Sequence, residues 1–158
     1  MKVVSNATPI ITLSSIGRID ILQDMFGHII VSRAVYNEVK AKRRYGYDEI
    51  DSSFIEVKSI QGEKYRDLLL NQLDIGEAET IILAKEIDAD VVIIDESIGY
   101  RIAKNSNLQV IRTLSILLGA KEKGLIPAIK PLLDEMIAKG RWYSKSVYET
   151  CLRRCDEI

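Results

Sequence analysis

Short apolar runs alternate with longer amphipathic stretches along this chain. Strands are predicted for five runs rich in β-branched residues, at 3–4, 29–31, 54–57, 91–94 and 109–111. The all-apolar run at 91–94 is typical of a strand buried in the centre of a parallel sheet. Helical spacing of apolar residues predicts helices near 7–13, 19–26, 33–39, 63–70, 76–84, 96–105, 114–123, 128–138 and 143–155. This alternation predicts a three-layer α/β/α fold with a central, mostly parallel sheet.

Two segments depart from the alternation. Residues 40–47 have no apolar periodicity and predict a helix end that passes into a mobile loop. Residues 143–158 are predicted as a C-terminal docking helix, because apolar residues form one stripe along it. That stripe contains Tyr148, Cys151, Leu152 and Cys155. With no linker or repeat in between, residues 1–158 are predicted to form a single domain.

Composition narrows the class of protein without identifying it. The 158 residues are 47% hydrophobic and 28% charged, which excludes collagen, disordered chains and disulfide scaffolds. Lys and Arg number 22 against 23 Asp and Glu, so nucleic acid can be attracted only by a local patch. The longest uncharged stretch, 3–17, is too short to cross a membrane. With no signal peptide recognised, a cytoplasmic protein is expected.

Histidine and cysteine chemistry is not expected. Cys151 and Cys155 have no histidine nearby to complete a zinc site, so they are predicted to face the core as small apolar residues. The only histidine, His28, lies at a turn before a strand, where a surface role is favoured over catalysis. A phosphate-binding glycine loop, a Gly-x-Ser-x-Gly elbow and a His-Glu-x-x-His motif are also missing, so P-loop, serine-hydrolase and zincin chemistry are disfavoured.

Acidic and amide residues follow the predicted strands. Parallel sheets bind ligands beyond the carboxyl ends of their strands, where Asn6 and Asp95 are expected. Glu38 and Glu77 lie on helices that begin near the same edge. Carboxylates that converge repel one another unless a cation lies between them, and oxygen ligands suit Mg²⁺ or Mn²⁺. The sequence therefore indicates metal-assisted phosphodiester cleavage.

Structural roles compete with this interpretation. Asp95 is equally placed to cap the helix that begins at Glu96. Glu77 stands at a helix start, where it would complement the helix dipole. Glu79 shares that alternative and competes with Glu77 for the site. Whether Glu79 or Glu96 takes part is left open by the sequence.

Several motifs resemble those of PIN-domain nucleases, in particular small prokaryotic proteins of the VapC-like toxin type. They occur in the family's order and cover nearly the whole chain. The matching segments are 3–11 (VVSNATPII), 35–39 (VYNEV), 73–81 (LDIGEAETI), 92–96 (VIIDE) and 124–127 (GLIP). The resemblance implies a PIN-like fold.

The same resemblance implies an Mg²⁺- or Mn²⁺-dependent endoribonuclease with an acidic quartet. The matching positions are Asn6, Glu38, Glu77 and Asp95. Asn6 replaces the usual aspartate, and its amide oxygen can ligate a metal but brings no charge. The three carboxylates are then expected to hold one or two metal ions for in-line attack on the phosphodiester. The resemblance also implies an antitoxin partner, and homodimers are common in the family.

A basic segment follows Glu38 and is a candidate for binding RNA. Its basic residues are interleaved with aromatic ones, a combination that binds phosphates and stacks bases. They are Lys40, Lys42, Arg43, Arg44, Tyr45 and Tyr47. The competing interpretation is a solvated helix end, because basic residues complement a helix C-terminus.

Two other functions remain open. A PIN-fold module that binds nucleic acid or protein without turnover is the main alternative, because Asn6 removes one charged ligand. A doubly wound receiver domain, modified at Asp95, is disfavoured because its first strand would need an acidic pair where Asn6 stands.

Overall fold

Five short strands form the central sheet. The computed structural model covers residues 1–158. The strands are β1 (Val3–Ser5), β2 (Ile29–Ser32), β3 (Ile55–Lys58), β4 (Val91–Ile93) and β5 (Val110–Ile111). They pair in the order β3-β2-β1-β4-β5, and every pairing is parallel. The predicted α/β architecture is confirmed, and the sheet is parallel throughout.

Nine helices surround the sheet. They are α1 (Ala7–Ser15), α2 (Asp20–Phe26), α3 (Arg33–Lys40), α4 (Glu63–Leu69), α5 (Ile75–Glu86), α6 (Ser97–Asn105), α7 (Thr113–Glu122), α8 (Lys130–Ala138) and α9 (Lys145–Arg154). A short 3₁₀ turn, Glu49–Asp51, was not predicted. None of the helices has both the length and the apolar character that a membrane crossing requires.

Side chains that alternate between the two faces of the sheet divide the core into two halves. Val3 and Ile93 pack on one face of the sheet, within the larger cluster that includes residues of α1, α2, α3, α7, α8 and α9. Val4 and Val92 pack on the opposite face, with residues of α5 and α6. Because successive side chains of a strand point to opposite faces, a three-residue strand contributes to both halves. The result is the predicted three-layer arrangement.

The last helix covers part of the larger half-core. Cys151 and Leu152 of α9 are buried against it, whereas Cys155 is half-buried. Lys121 Nζ donates to the Cys155 carbonyl oxygen, and the Glu157 carboxylate accepts from the Ile129 backbone at 2.7 Å. These bonds anchor the end of the chain beside α7 and α8.

The strand order locates a crevice. From β1 the chain proceeds outward to β2 and β3, and it then returns to place β4 on the other side of β1. In an open parallel sheet such a reversal leaves a crevice at the carboxyl ends of the two central strands. Asn6 directly follows β1, and Asp95 and Glu96 follow β4. The fold therefore brings these residues to one edge.

Candidate metal and nucleic-acid site

The crevice between β1 and β4 is bridged by an amide–carboxylate contact. Asn6 is almost fully buried, and its backbone N–H donates to the Ile93 carbonyl oxygen at 3.0 Å. Its side-chain Nδ2 donates to Glu96 Oε2 at 3.2 Å, and the Thr8 hydroxyl donates to the other Glu96 oxygen. Two donors from the chain that follows β1 therefore orient the Glu96 carboxylate.

Oxygen atoms from three elements converge on Gly76, in the first turn of α5. A Cβ atom at this position would lie 2.9 Å from Glu38 Oε1, 3.5 Å from Asp74 Oδ1 and 3.6 Å from Asn6 Oδ1. An alanine would therefore displace the Glu38 carboxylate. Glycine at position 76 thus permits α3, α5 and the end of β1 to bring their oxygens together.

Glu77 caps α5 and also faces this group. Its carboxylate accepts from the Asp74 N–H at 3.2 Å, while its own N–H donates to Asp74 Oδ1 at 2.8 Å, which forms a capping box. Its second oxygen would lie 2.8 Å from a Cβ atom at Gly99 of α6. The capping role weighed from sequence is therefore present, and Glu77 reaches the crevice as well.

Burial and mutual repulsion raise the pKa values of two of these carboxyl groups. Burial, with the charges of Asp74 and Glu96, raises the pKa of Glu77 from 4.5 to about 7. Burial also raises the pKa of Glu38, again with contributions from the charges of Asp74 and Glu96. We call Asn6, Glu38, Asp74, Glu77 and Glu96 the acidic cluster. The charges of Asp74 and Glu96 act on both Glu38 and Glu77.

The hydrogen bonds of Asp95 are made to the start of α7 and not to the acidic cluster. Its two carboxylate oxygens accept from the Thr113 N–H at 2.8 Å and the Thr113 hydroxyl at 2.7 Å. Arg141 Nη2 lies 3.8 Å from Asp95 Oδ2. Asp95 thus faces the start of α7, and Glu96 is the N-cap residue of α6. Of the four predicted residues, Asn6, Glu38 and Glu77 therefore lie in one group with Glu96. Asp95 is bound by Thr113, and burial, together with the charge of Glu96, raises its pKa.

Glu79 lies outside the acidic cluster. Its carboxylate accepts from the Ala34 N–H at 3.1 Å and pairs with Arg66 Nη1 at 3.3 Å. It therefore connects α5 to the start of α3 and to α4. Sequence reasoning missed Asp74, although the Asp74-x-x-Glu77 spacing is the signal of a capping box.

The donor chemistry of the acidic cluster fits a hard divalent cation. Its side chains provide only oxygen ligands, the type that Mg²⁺ and Mn²⁺ prefer, and Asn6 Oδ1 and Glu38 Oε1 both lie close to Gly76. A cation would also offset the burial and the repulsion by Asp74 and Glu96, which together raise the pKa values of Glu38 and Glu77. In this conformation no three acidic, histidine or cysteine side chains are arranged to ligate one ion. Ligation therefore requires side-chain rotation.

A pocket of about 890 Å³ opens beside the acidic cluster, and we call it the basic pocket. Glu38 lines its wall and belongs to the cluster as well. The basic and aromatic lining residues are Lys42, Arg43, Arg44, Tyr45 and Lys139. Lys139, which follows α8, was not predicted, because the chain brings it to the pocket from a remote segment.

Lys40 is placed differently from its predicted RNA-binding role. Its ammonium group donates to the Tyr47 carbonyl oxygen at 2.8 Å and to Asp51 at 2.7 Å. The same group lies 3.6 Å from the centre of the Tyr47 ring. Lys40 therefore anchors the segment predicted as a mobile loop, and its hydrogen bonds are used within the protein.

The match to a known family covers nearly the whole chain. A family model described as DUF3368, a PIN domain, matches residues 2–157. No curated protein matches the chain. The matched range includes every strand and helix, the acidic cluster and the basic pocket.

We expect the stability of the metal-free protein to fall as the pH rises from about 4.5 to about 7. The pKa of Glu77 is higher in the folded than in the unfolded protein, so the fold retains a proton that the unfolded chain has lost. Urea unfolding in a chelating buffer at pH 5 and pH 8 measures this effect. Glu77→Gln should flatten the profile, and Glu135→Gln, an exposed control, should not. If the stability of Glu77→Gln fell as steeply with pH as that of the wild type, Glu77 would not be the group responsible.

We expect Asn6→Asp to destabilise the metal-free protein by roughly 1–3 kcal/mol, since a carboxylate replaces the amide that donates to Glu96. Added Mn²⁺ should restore stability in this variant more than in the wild type, because the new charge is one that a cation offsets. Thermal unfolding with chelator and with Mn²⁺ provides the comparison. Asn6→Ala, which loses the donor without adding charge, is the control. If Mn²⁺ raised the thermal stability of Asn6→Asp and Asn6→Ala equally, the result would contradict a metal site at position 6.

Proposed function

Because the chain belongs to the PIN-domain family, whose members are generally nucleases, we propose that it is a metal-dependent endoribonuclease that cleaves RNA phosphodiester bonds. One observation supports this most strongly. The oxygens of the acidic cluster converge at the crevice between β1 and β4. Burial, with the charges of Asp74 and Glu96, raises the pKa values of Glu38 and Glu77, as occurs for carboxylates gathered in a functional site.

Mg²⁺ or Mn²⁺ is the proposed cofactor. When bound, it supplies positive charge that favours attack of water on the phosphodiester. Glu38, Glu77 and Glu96 would hold it, and Asn6 contributes a neutral amide oxygen. Asn6 also orients Glu96 through its Nδ2 donor. Glu77 retains its contact with the Asp74 N–H, so the metal site and the start of α5 are formed by the same side chain.

Asp95 takes a positioning role in this proposal. With both oxygens bound by Thr113, it fixes the start of α7 relative to β4. It also places a negative charge near Arg141. This differs from the sequence prediction, in which Asp95 is itself a metal ligand.

The basic pocket is the proposed binding surface for the RNA backbone. Lys42, Arg43, Arg44 and Lys139 can contact phosphates, and Tyr45, 46% exposed, can stack on a base. Since Glu38 belongs both to this pocket and to the acidic cluster, a strand bound there extends to the proposed cleavage site. The protein's net charge of −1 makes this local patch necessary for attraction.

Purified wild-type protein is expected to cleave a structured RNA pool in Mn²⁺ and to stop when a chelator is added. Glu77→Gln and Glu96→Gln should each lower the rate by at least about 100-fold, because each removes a proposed metal ligand. Asp95→Asn should lower the cleavage rate less than these two variants do, and Glu135→Gln should cleave like the wild type. Cleavage that survives in Glu77→Gln would identify a contaminating nuclease or a different site.

A binding module without turnover is the second candidate. It is favoured by the neutral Asn6 and by the absence of a preformed ion site. The Asn6→Asp variant separates the two candidates in the cleavage experiment. A silent wild type beside an active Asn6→Asp variant would support binding without turnover, and cleavage by the wild type supports the enzyme.

We further propose that the protein acts in the cytoplasm as the toxin of a toxin–antitoxin pair, and that an antitoxin segment covers the cleft. This role rests on the resemblance of the sequence motifs to VapC-like toxins. Induced expression in bacteria is expected to arrest growth for the wild type and not for Glu77→Gln at equal protein level. Equal growth of both strains would contradict the toxin role and leave the nuclease proposal to the cleavage experiment.

A further inference from the structure

The only tryptophan of the chain stands exposed beside a small cavity. Trp142 lies in the connection between α8 and α9, and 79% of it is exposed, more than any other large apolar residue. The neighbouring cavity has a volume of about 260 Å³. It is lined by Trp142 together with Asp95, Ser97, Arg112, Arg141 and Ser144, among others. A flat aromatic face therefore adjoins a polar recess.

Two arginines give this recess a positive character. Arg112 is exposed, and its guanidinium lies 4.0 Å from the centre of the Tyr100 ring, which holds it in place without neutralising it. Arg141 Nε is buried without a hydrogen-bond partner, and Arg141 Nη2 is 3.8 Å from Asp95, longer than a hydrogen bond. Asp95 itself is bound by Thr113. Arg141 is thus paired with Asp95 and lies beside Tyr143, so Arg112 brings the unpaired positive charge and Arg141 adds N–H donors.

Three helices begin at the same recess. Ser97 is the first residue of α6, Arg112 is the N-cap residue of α7, and Ser144 is the N-cap residue of α9. Helix N-termini carry partial positive charge and favour phosphate groups. The Asp95 carboxylate already accepts from Thr113 at the start of α7, and Glu96 stands at the start of α6, so the start of α9 is the one that adds to the arginines in attracting an anion.

We propose that this recess, the Trp142 pocket, binds one nucleotide of a single-stranded RNA next to the bond that is cleaved. The base stacks on Trp142, and the adjoining phosphate contacts Arg112 and Arg141. The inference rests on the proposed nuclease function. Asp95 lines this recess and Glu96 belongs to the acidic cluster, so adjacent residues connect the two sites. The basic pocket shares Glu38 with the same cluster, so one strand can contact both pockets and the cluster.

Fluorescence of Trp142 reports binding directly, because no other tryptophan contributes. A short single-stranded oligoribonucleotide, titrated in chelator at low salt, is expected to quench this emission without any turnover. Anisotropy of the labelled oligonucleotide gives the affinity of each variant. Trp142→Leu should weaken binding about tenfold and Trp142→Phe less, because phenylalanine still stacks. Arg112→Gln should reduce the slope of log affinity against log salt by about 0.7.

Arg153→Gln on α9 is the matched control, since Arg153 is exposed and pairs with Glu149 away from the pocket. It lowers the net charge by the same amount as Arg112→Gln. Equal effects of Arg112→Gln and Arg153→Gln on affinity would overturn the pocket and leave only a general charge effect. RNA that binds by anisotropy without quenching Trp142 would overturn it as well. Quenching by polyglutamate and not by RNA would assign the pocket to an acidic protein partner instead.

Failure of this inference is distinguishable from failure of the proposed function. If the wild type cleaves RNA and Trp142→Leu has an unchanged KM, the pocket is wrong and the nuclease stands. If Trp142 emission is quenched by RNA in a protein that never cleaves, the pocket stands and the catalytic proposal fails.

Discussion

The contact between the Asn6 amide and the Glu96 carboxylate joins the two halves of the sheet at the position where the chain reverses its strand order. An aspartate at position 6 would face Glu96 with like charge, whereas the strands themselves stay paired through their backbone hydrogen bonds. The neutral amide instead donates a hydrogen bond and presents its oxygen toward Glu38 and Gly76. The crevice is therefore formed before any ion binds.

The rest of the site is arranged around that contact. Gly76 permits α5 to approach Glu38 closely, and the capping box fixes Glu77 at the start of the same helix. Burial raises the pKa values of Glu38 and Glu77, and with a pKa of about 7 Glu77 is partly protonated near neutral pH. Glu79, from the next turn of α5, fixes α3 and thereby the helix that carries Glu38.

Much of this fold can be predicted from the sequence, because β-branched runs and helical spacing reflect burial directly. The five strands lie within a residue or two of their predictions, and α3 begins at the predicted residue, where the Ser32 hydroxyl caps it. The 3₁₀ turn at Glu49–Asp51 has no such periodicity. Its position depends on tertiary contacts of Lys40 and Gly46, which no local pattern reveals.

The site was less predictable than the fold. Asp95 and Glu96 are neighbours in the sequence, and which of them faces Asn6 depends on where β4 ends and on Thr113, eighteen residues away. Lys139 and Trp142 come from the end of α8 and the chain beyond it, and nothing in their local sequence marks them as parts of a site. Only the folded structure, in which remote segments come together, shows that these two residues line pockets.

Titration with Mn²⁺ tests most directly whether the acidic cluster is a metal site. Calorimetry at pH 7 should show saturable binding to the wild type, accompanied by proton release because the pKa of Glu77 is about 7. Binding should be strongly weakened in Glu77→Gln and Glu96→Gln and unchanged in Glu135→Gln. Undiminished Mn²⁺ binding in both cluster variants, or no binding to the wild type at millimolar Mn²⁺, would contradict a metal site at the acidic cluster.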